Sequence, residues 1–182
     1  YGRKLTAYRA ALHDHSNVSD GSFSPEEVIR LYKEQGYEIF AFTDHQITNP
    51  VSQYDGLGMQ LISGLESHPD GPKGERWHLL CHGVPEDFVD PSLDKSNSAQ
   101  DCIDIIRATG AAVFCAHPAW CGFHSSDVAA LKNLSGMEVY NSDTRFCGKC
   151  YNMTCWDELA DDGMVLNALA LDDVHDARDL FH

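Results

Sequence analysis

The 182-residue chain is 43% hydrophobic and carries a formal charge of −15, from 13 Lys and Arg against 28 Asp and Glu. That length fits one soluble globular domain with a sizeable core, spanning 1–182. No run approaches the ~18 apolar residues of a membrane helix, and a surface this negative excludes extended binding of polymeric nucleic acid by counterion release. Seven scattered cysteines, an odd count, read as free thiols of a reducing cytoplasm and not as a disulfide framework. No signal peptide is visible. The chain starts on Tyr1 and not on Met, and "DDVHDARDLFH" stops just after a motif, so a longer native chain is expected.

In chain order, "AYRAALH" reads as a strand. In "SPEEVIRLYKEQG", Ser24 is an N-cap, Pro25 opens the helix, Glu27 closes a capping box, and Val28, Leu31 and Tyr32 form its apolar stripe. "YEIFAFTDH" is the next strand, and "MQLISGLE" and "RWHLLCHGV" are two more, separated by the turn-rich "SHPDGPKGE". "SAQDCIDIIRATG" is a helix with Ala99, Cys102, Ile103 and Ile106 as its stripe. "AAVFCAH" is a strand, "DVAALKNL" a short helix, "GMEVYN" a strand, "TCWDELADDG" a helix and "MVLNALALDD" the final strand. About seven apolar strands with helices in several connections predict a helix-covered parallel sheet, closed or nearly closed into an α/β barrel.

The barrel is preferred because ionisable residues recur at strand ends. His13 and His15, Asp44 and His45, Glu66, His78, His117, Glu138, and Asp172, Asp173 and His175 all fall at or near such positions. In a barrel those ends converge on one face, where active sites form. Side chains at i and i+2 of a strand share a face, so His13 and His15 point together, as do Asp173 and His175; Asp172 then faces the other way, into the helix layer or onto groups that support the ligands. Imidazoles and carboxylates without thiolates suit zinc, manganese or iron. There are too many ligands for one tetrahedral ion, so two or three divalent ions are expected, able to generate a hydroxide and clamp a phosphoryl oxygen.

The series "LHDHSNVSDG…SPEEV…GYEIFAFTDH…GLE…HLLCHG…AHPAW…GMEVYN…DDVH" resembles the PHP (polymerase and histidinol phosphatase) family, in family order from residue 8 to residue 175. The resemblance implies a distorted seven-stranded β/α barrel with a trinuclear site. One ion would take His13, His15, Glu66 and Asp173; Glu66 would bridge to a second ion on His78 and His117; the third would take Asp20, His45 and His175. Family members often carry an aspartate two positions before the first histidine, where this chain has Ala11.

Other residues have two readings each. His82 competes with His78 on the fourth strand, and His68 and His124 lie in loops where surface histidines are the default. Asp44 is expected to orient a ligand imidazole. Glu138 and Asn141 either line the pocket or end a strand. Cys147, Cys150 and Cys155 read as idle thiols, with an auxiliary metal site or a redox pair as alternatives. Arg145, Lys149, Arg178 and His124 are candidate phosphate contacts. Taken together, the sequence predicts a metal-dependent phosphoesterase acting on a small phosphorylated substrate such as a phosphomonoester or nucleotide. An exonuclease-like phosphodiesterase, an amidohydrolase-type metal hydrolase and a non-catalytic metal-bearing module are the rivals.

Overall fold

Short strands joined by well-capped helices build the scaffold, and the computed structural model describes residues 2 and 4–181 of it. In chain order the elements are β1 (Ala10–Ala11), α1 (Pro25–Glu34), β2 (Ile39–Ala41), β3 (Gln60–Ile62), β4 (Gly64–Ser67), β5 (Leu79–His82), α2 (Ala99–Ala108), β6 (Ala112–Cys115), α3 (Pro118–Cys121), α4 (Ser125–Ala129), β7 (Gly136–Asn141), α5 (Met153–Asp161) and β8 (Asn167–Leu171). Short 3-10 helices span Val51–Leu57, Pro91–Leu93 and Asp143–Cys147. Helices α1 and α2 both start on reciprocal capping boxes, Ser24 with Glu27 and Ser98 with Asp101. Helix α2 buries Ala99, Cys102, Ile103 and Ile106. Helix α1 buries Val28, Ile29 and Tyr32, so its stripe is rotated from the expected one and Leu31 is only half-buried.

The described strands form two sheets and not a single closed seven-stranded barrel. Strands β1, β2 and β3 pair in parallel, while β4 to β8 form a second sheet in sequence order. The stretch expected as one strand over 59–66 breaks at Ser63 into β3 and β4, one in each sheet. Gly64 makes the crossing possible: a Cβ there would lie 2.5 Å from the Phe42 carbonyl oxygen and 2.7 Å from that of Cys81. The sheets also touch through isolated parallel bridges, Asp14 with Val174 and His45 with Glu66.

The second departure from expectation is strand direction. Strand β5 runs antiparallel to both β4 and β6, and only β6, β7 and β8 are parallel in this sheet. The connection from β4 to β5 contains no helix, so the chain turns back instead of crossing over. The beginning of β5, not its end, therefore reaches the face where the other strands end.

Three apolar clusters fix the layers. Helices α2, α4 and α5 cover the five-stranded sheet through Ile103, Ile106, Val128 and Leu159 against Leu79, Cys81, Val113 and Met137. Helix α1 covers the three-stranded sheet through Val28, Ile29 and Tyr32 against Phe40, Phe42 and Leu61. Between the sheets Leu80, Ala116 and Leu171 pack with Leu12, Phe114 and Leu169. That inner cluster is the apolar floor beneath the polar residues described next. Among the described residues no helix is long and apolar enough to cross a membrane.

Candidate metal centre

Alternation along β4 turns Glu66 inward, and it becomes the hub of a histidine cluster. Its Oε1 lies 2.9 Å from His78 Nδ1, 3.2 Å from His117 Nε2 and 3.5 Å from His13 Nε2. Its Oε2 lies 2.7 Å from His45 Nδ1, 3.5 Å from His68 Nε2 and 3.8 Å from His15 Nε2. Asp173 is a second meeting point, its Oδ1 3.0 Å from the Nε2 atoms of both His13 and His15. Asp20 forms the third, 3.3 Å from His45 Nε2 and 3.5 Å from His175 Nε2. All nine residues expected from the sequence thus meet in one place. Their grouping differs in detail from the expected partition: His15 lies with Asp20, His45 and His175 as well as with His13 and Asp173, and His68 joins His45, Glu66 and His78.

The antiparallel β5 decides between its two histidines. His78, just before the strand, reaches Glu66, while His82 lies at the far end and bonds the Leu12 carbonyl oxygen through Nε2 at 2.8 Å. Burial lowers the pKa of His82 to about 4, so it is neutral there.

Four residues hold the cluster in shape. Glu138 is fully buried and sits 2.6 Å from His13 Nδ1, accepts from the His117 backbone N–H at 2.8 Å, and accepts from Asn141 Nδ2 at 2.9 Å. Asn141 Nδ2 also donates to Asp173 Oδ2 at 3.0 Å. Asp44 departs from expectation, because it bonds a loop and not an imidazole: it accepts from the Ser16 and Ser19 backbone N–H groups and hydroxyls and from Asn49. It thereby ties down the loop that carries Asp20. Gly21 lets that loop lie against the strand exit, since a Cβ would fall 2.7 Å from the His15 carbonyl carbon. Asp172 faces away from the cluster, as expected, and accepts from the Tyr32 hydroxyl at 2.7 Å. Two cluster residues at strand ends, His117 and Asp173, have φ of +23° and +56°, a strained conformation for side-chain-bearing residues that is concentrated at functional sites.

The donor geometry fits divalent cations. Asp173 Oδ1 and His15 Nδ1 are buried without a hydrogen-bond partner, and the Nε2 atoms of His13 and His15 face each other at 3.2 Å. Buried lone-pair donors that converge with few hydrogen-bond partners are what a shared cation needs. Four donors at 2.0–2.1 Å around a tetrahedral ion sit about 3.3 Å from one another. The electrostatics agree. Burial works against charge on Glu66, yet His78 and His13 hold its carboxyl well below the usual range. Burial likewise opposes the proton on His45, but the carboxylates of Asp20 and Glu66 at 3.3 and 2.7 Å raise its pKa to about 10. The same His45 contact, against partial burial, holds Asp20 at about 2. Carboxylates that keep protons on imidazoles without metal are those that compete for a cation when one arrives.

A cleft of about 180 Å³ opens onto the cluster, lined by Asp20, His45, Glu66, His78, His117, Trp120, Asp143, Thr144, Asp173 and His175. None of the candidate phosphate contacts lines it. Arg145 Nη1 donates to the Ser142 carbonyl oxygen at 2.8 Å, and its Nη2 to that of Arg178. Arg178 Nε lies 2.9 and 3.0 Å from the Asp176 carboxylate oxygens. Lys149 Nζ reaches the Trp120 carbonyl oxygen at 3.4 Å, and His124 is exposed in front of α4. Backbone carbonyls and a nearby carboxylate thus hold Arg145, Lys149 and Arg178 outside the cleft lining. The sequence reading also left out Trp120, Asp143 and Thr144, which sit on short turns that carry no periodic signal. His68 is buried and not a surface histidine; its signal was the Glu66–Ser67–His68 spacing, the same i, i+2 pattern as His13 and His15. All seven cysteines are free, and among the described residues no group of potential metal ligands contains one.

The family model for the PHP domain matches residues 11–108, more than half of the chain. This chain belongs to the PHP domain family. Two curated relatives match parts of this PHP chain. One is a phosphoribosyl 1,2-cyclic phosphate 1,2-diphosphodiesterase of Eggerthella lenta, 38% identical over 80 residues, covering 41% of this chain and 30% of that protein. The other is a 5'-3' exoribonuclease of Haemophilus influenzae, 28% identical over 101 residues, covering 53% and 36%. The matches thus span roughly a third of each relative's length. Among solved structures, an amidohydrolase from Chromobacterium violaceum with bound sulfate and no metal superposes with a TM-score of 0.74 at 15% identity, covering 96% of this chain and 90% of that one. A two-domain protein from Bacteroides vulgatus, containing a predicted PHP-like metal-dependent phosphoesterase, gives 0.63 at 20% identity, covering 93% and 52%. At these identities the structural likeness shows the fold alone.

Proposed function

We propose that this PHP domain is a metal-dependent phosphoric ester hydrolase acting on a small phosphorylated substrate. The observation that carries the reading is Glu66, whose two oxygens lie within 3.5 Å of five imidazoles at the base of an open cleft. His13, His15, Asp20, His45, Glu66, His78, His117, Asp173 and His175 would hold two to three divalent ions of zinc, manganese or iron. Ions bound there would supply Lewis-acid stabilisation of phosphoryl oxygens and a lowered pKa for an attacking water.

The chain's own residues supply the rest. No residue lining the cleft is Lys or Arg, and its imidazoles are the groups that would hold the ions, so with ions bound a phosphate has no protein cation left there to balance it, which supports the ions in that role. Glu138 fixes the ring of His13 and, through the His117 N–H, the start of α3. Trp120 places its indole ring edge-to-face with His78 and His117, at 5.2 and 5.3 Å, positioned to exclude water and receive the organic part of the substrate. The small cleft and the charge of −15 favour a small molecule over a polymer. The two bridged sheets support reading residues 1–182 as one distorted barrel domain, and seven free cysteines support a cytoplasmic setting.

The names of the relatives make a phosphodiester the second reading, and an amide the third. The test is turnover of a phosphomonoester, a phosphodiester and an amide by purified protein loaded with zinc, manganese or iron. Ester hydrolysis is expected. Amide hydrolysis alone would favour the amidohydrolase class, and tight metal binding without any turnover would favour a binding module.

A further inference from the structure

We infer that His68 is a metal ligand, closing with Glu66 and His78 a nitrogen-rich coordination position that the nine-residue set does not include. The inference rests on the metal-centre reading above and extends it to a residue outside that set.

Three observations carry it. First, His68 Nε2 lies 3.5 Å from Glu66 Oε2, and one donor atom from each of His45, Glu66, His68 and His78 falls within 4.8 Å of every other. Donors around a tetrahedral ion are about 3.3 Å apart, so small side-chain movements bring this set into range. Second, the ring is built into place. His68 stacks on His78 at 4.1 Å and 20° and lies 4.6 Å from the His45 ring. Its backbone N–H donates to Ser92 Oγ at 3.1 Å, and that hydroxyl donates to Asp90, which also accepts from the Ser67 hydroxyl. A loop some two dozen residues away is thus spent on holding Ser67–His68 still. Third, His45 belongs to two donor groups, one with His68 and one with Asp20 and His175. When His45 serves the Asp20 side, the Oε2 side of Glu66 loses its nearest imidazole, since His117 lies on Oε1, and His68 is the ring 3.5 Å from Oε2. An added nitrogen donor biases that position toward zinc and away from manganese.

The test is zinc titration of the full chain against a chromophoric chelator, with the visible spectrum of the cobalt-loaded protein as a second readout. His68→Ala is expected to lose one tight ion, or to weaken it at least about tenfold, and to shift the cobalt bands. His68→Phe keeps a ring against His78 and should show the same loss, separating ligation from packing. His124→Ala should match the wild type. If both His68 variants keep the ion count, affinity and cobalt spectrum, the inference is overturned while the metal centre stands. A wild-type protein that takes up no ion overturns both.

Discussion

Glu66 and Trp120 line one cleft but are held there by different means. Glu66 is fully buried in β4, paired in register with Leu80 of β5, and surrounded by imidazoles from five separate segments. Trp120 is 45% exposed on the four-residue helix α3, and the rings it meets are the two histidines beneath it. The strand-built base is over-determined, since each side chain is fixed by several others. The loop-built rim is assembled from nearly independent pieces. Damage to the base should therefore spread through the whole cluster, and damage to the rim should remain local.

The largest expected effect comes from the hub. Glu66→Gln keeps the shape and removes the charge, so kcat/KM should fall by more than ~1,000-fold with loss of bound metal, well beyond the 10–100-fold usual for a residue that only orients a ligand. Steady-state kinetics with elemental analysis measure both. Glu138→Gln tests that lower range: a 10–100-fold loss in metal affinity or activity is expected, because His13 keeps its place but loses its charged partner. Equal effects from the two variants would erase the distinction between hub and support.

A third prediction uses protons. In metal-free protein His45 has its pKa raised to about 10, against about 6.5 for a free imidazole. Its charged form contributes stability that is fully present below about pH 6.5 and is lost as pH rises toward 10. Asp20 acts in the opposite direction: with its pKa at about 2, its contribution is present above about pH 4 and is lost as pH falls toward 2. The metal-free Tm should therefore decline between pH 7 and 10, and His45→Gln should flatten that slope. Zinc added at pH 7 should release about one proton from His45, which calorimetry in buffers of different ionisation enthalpy would detect.

The rim gives the smallest effects. Trp120→Ala should raise KM about fivefold with little change in kcat, the size expected for one lost aromatic contact. Arg145→Ala and Lys149→Ala should change kcat/KM less than about threefold, since neither side chain lines the cleft. A large loss in either would mean that the rim closes over substrate and would break the contrast drawn here.

The same contrast explains what could be read in advance. His13, His15, Glu66, His117 and Asp173 were legible because a strand repeats every two residues and its end is marked by the loss of apolar character. The capping boxes of α1 and α2 were legible for a similarly local reason. Strand direction was missed although its cause was legible: the turn-rich stretch between residues 67 and 75 holds no crossover helix, and without one consecutive strands turn back antiparallel. The break at Ser63 was missed because Leu61, Ile62 and Leu65 read as one apolar run, although the Ser63–Gly64 dipeptide inside it is a turn signal. Asp44 was placed near the cluster, but its partners Ser16 and Ser19 lie more than twenty residues earlier in a loop. The hold on Arg145 was not legible, because the groups that claim it are backbone carbonyls, which every sequence has.

The seam between the two ends of the chain bears on how the protein comes into being. Asp173 N–H donates to the His13 carbonyl oxygen at 2.9 Å, and His15 N–H to that of Val174 at 3.0 Å. The cluster draws on residues from position 13 to position 175, so it cannot exist until nearly all of that span has been made and brought together. During synthesis the N-terminal histidines must wait for the last strand, and closing so long a loop is among the slower steps available to a domain of this size. Ions captured at the seam would then act as a clasp, coupling metal uptake to completion of the fold. A ribosome-bound chain ending before β8 should bind metal weakly, whereas the released chain should gain its ions and its resistance to proteolysis in a single step.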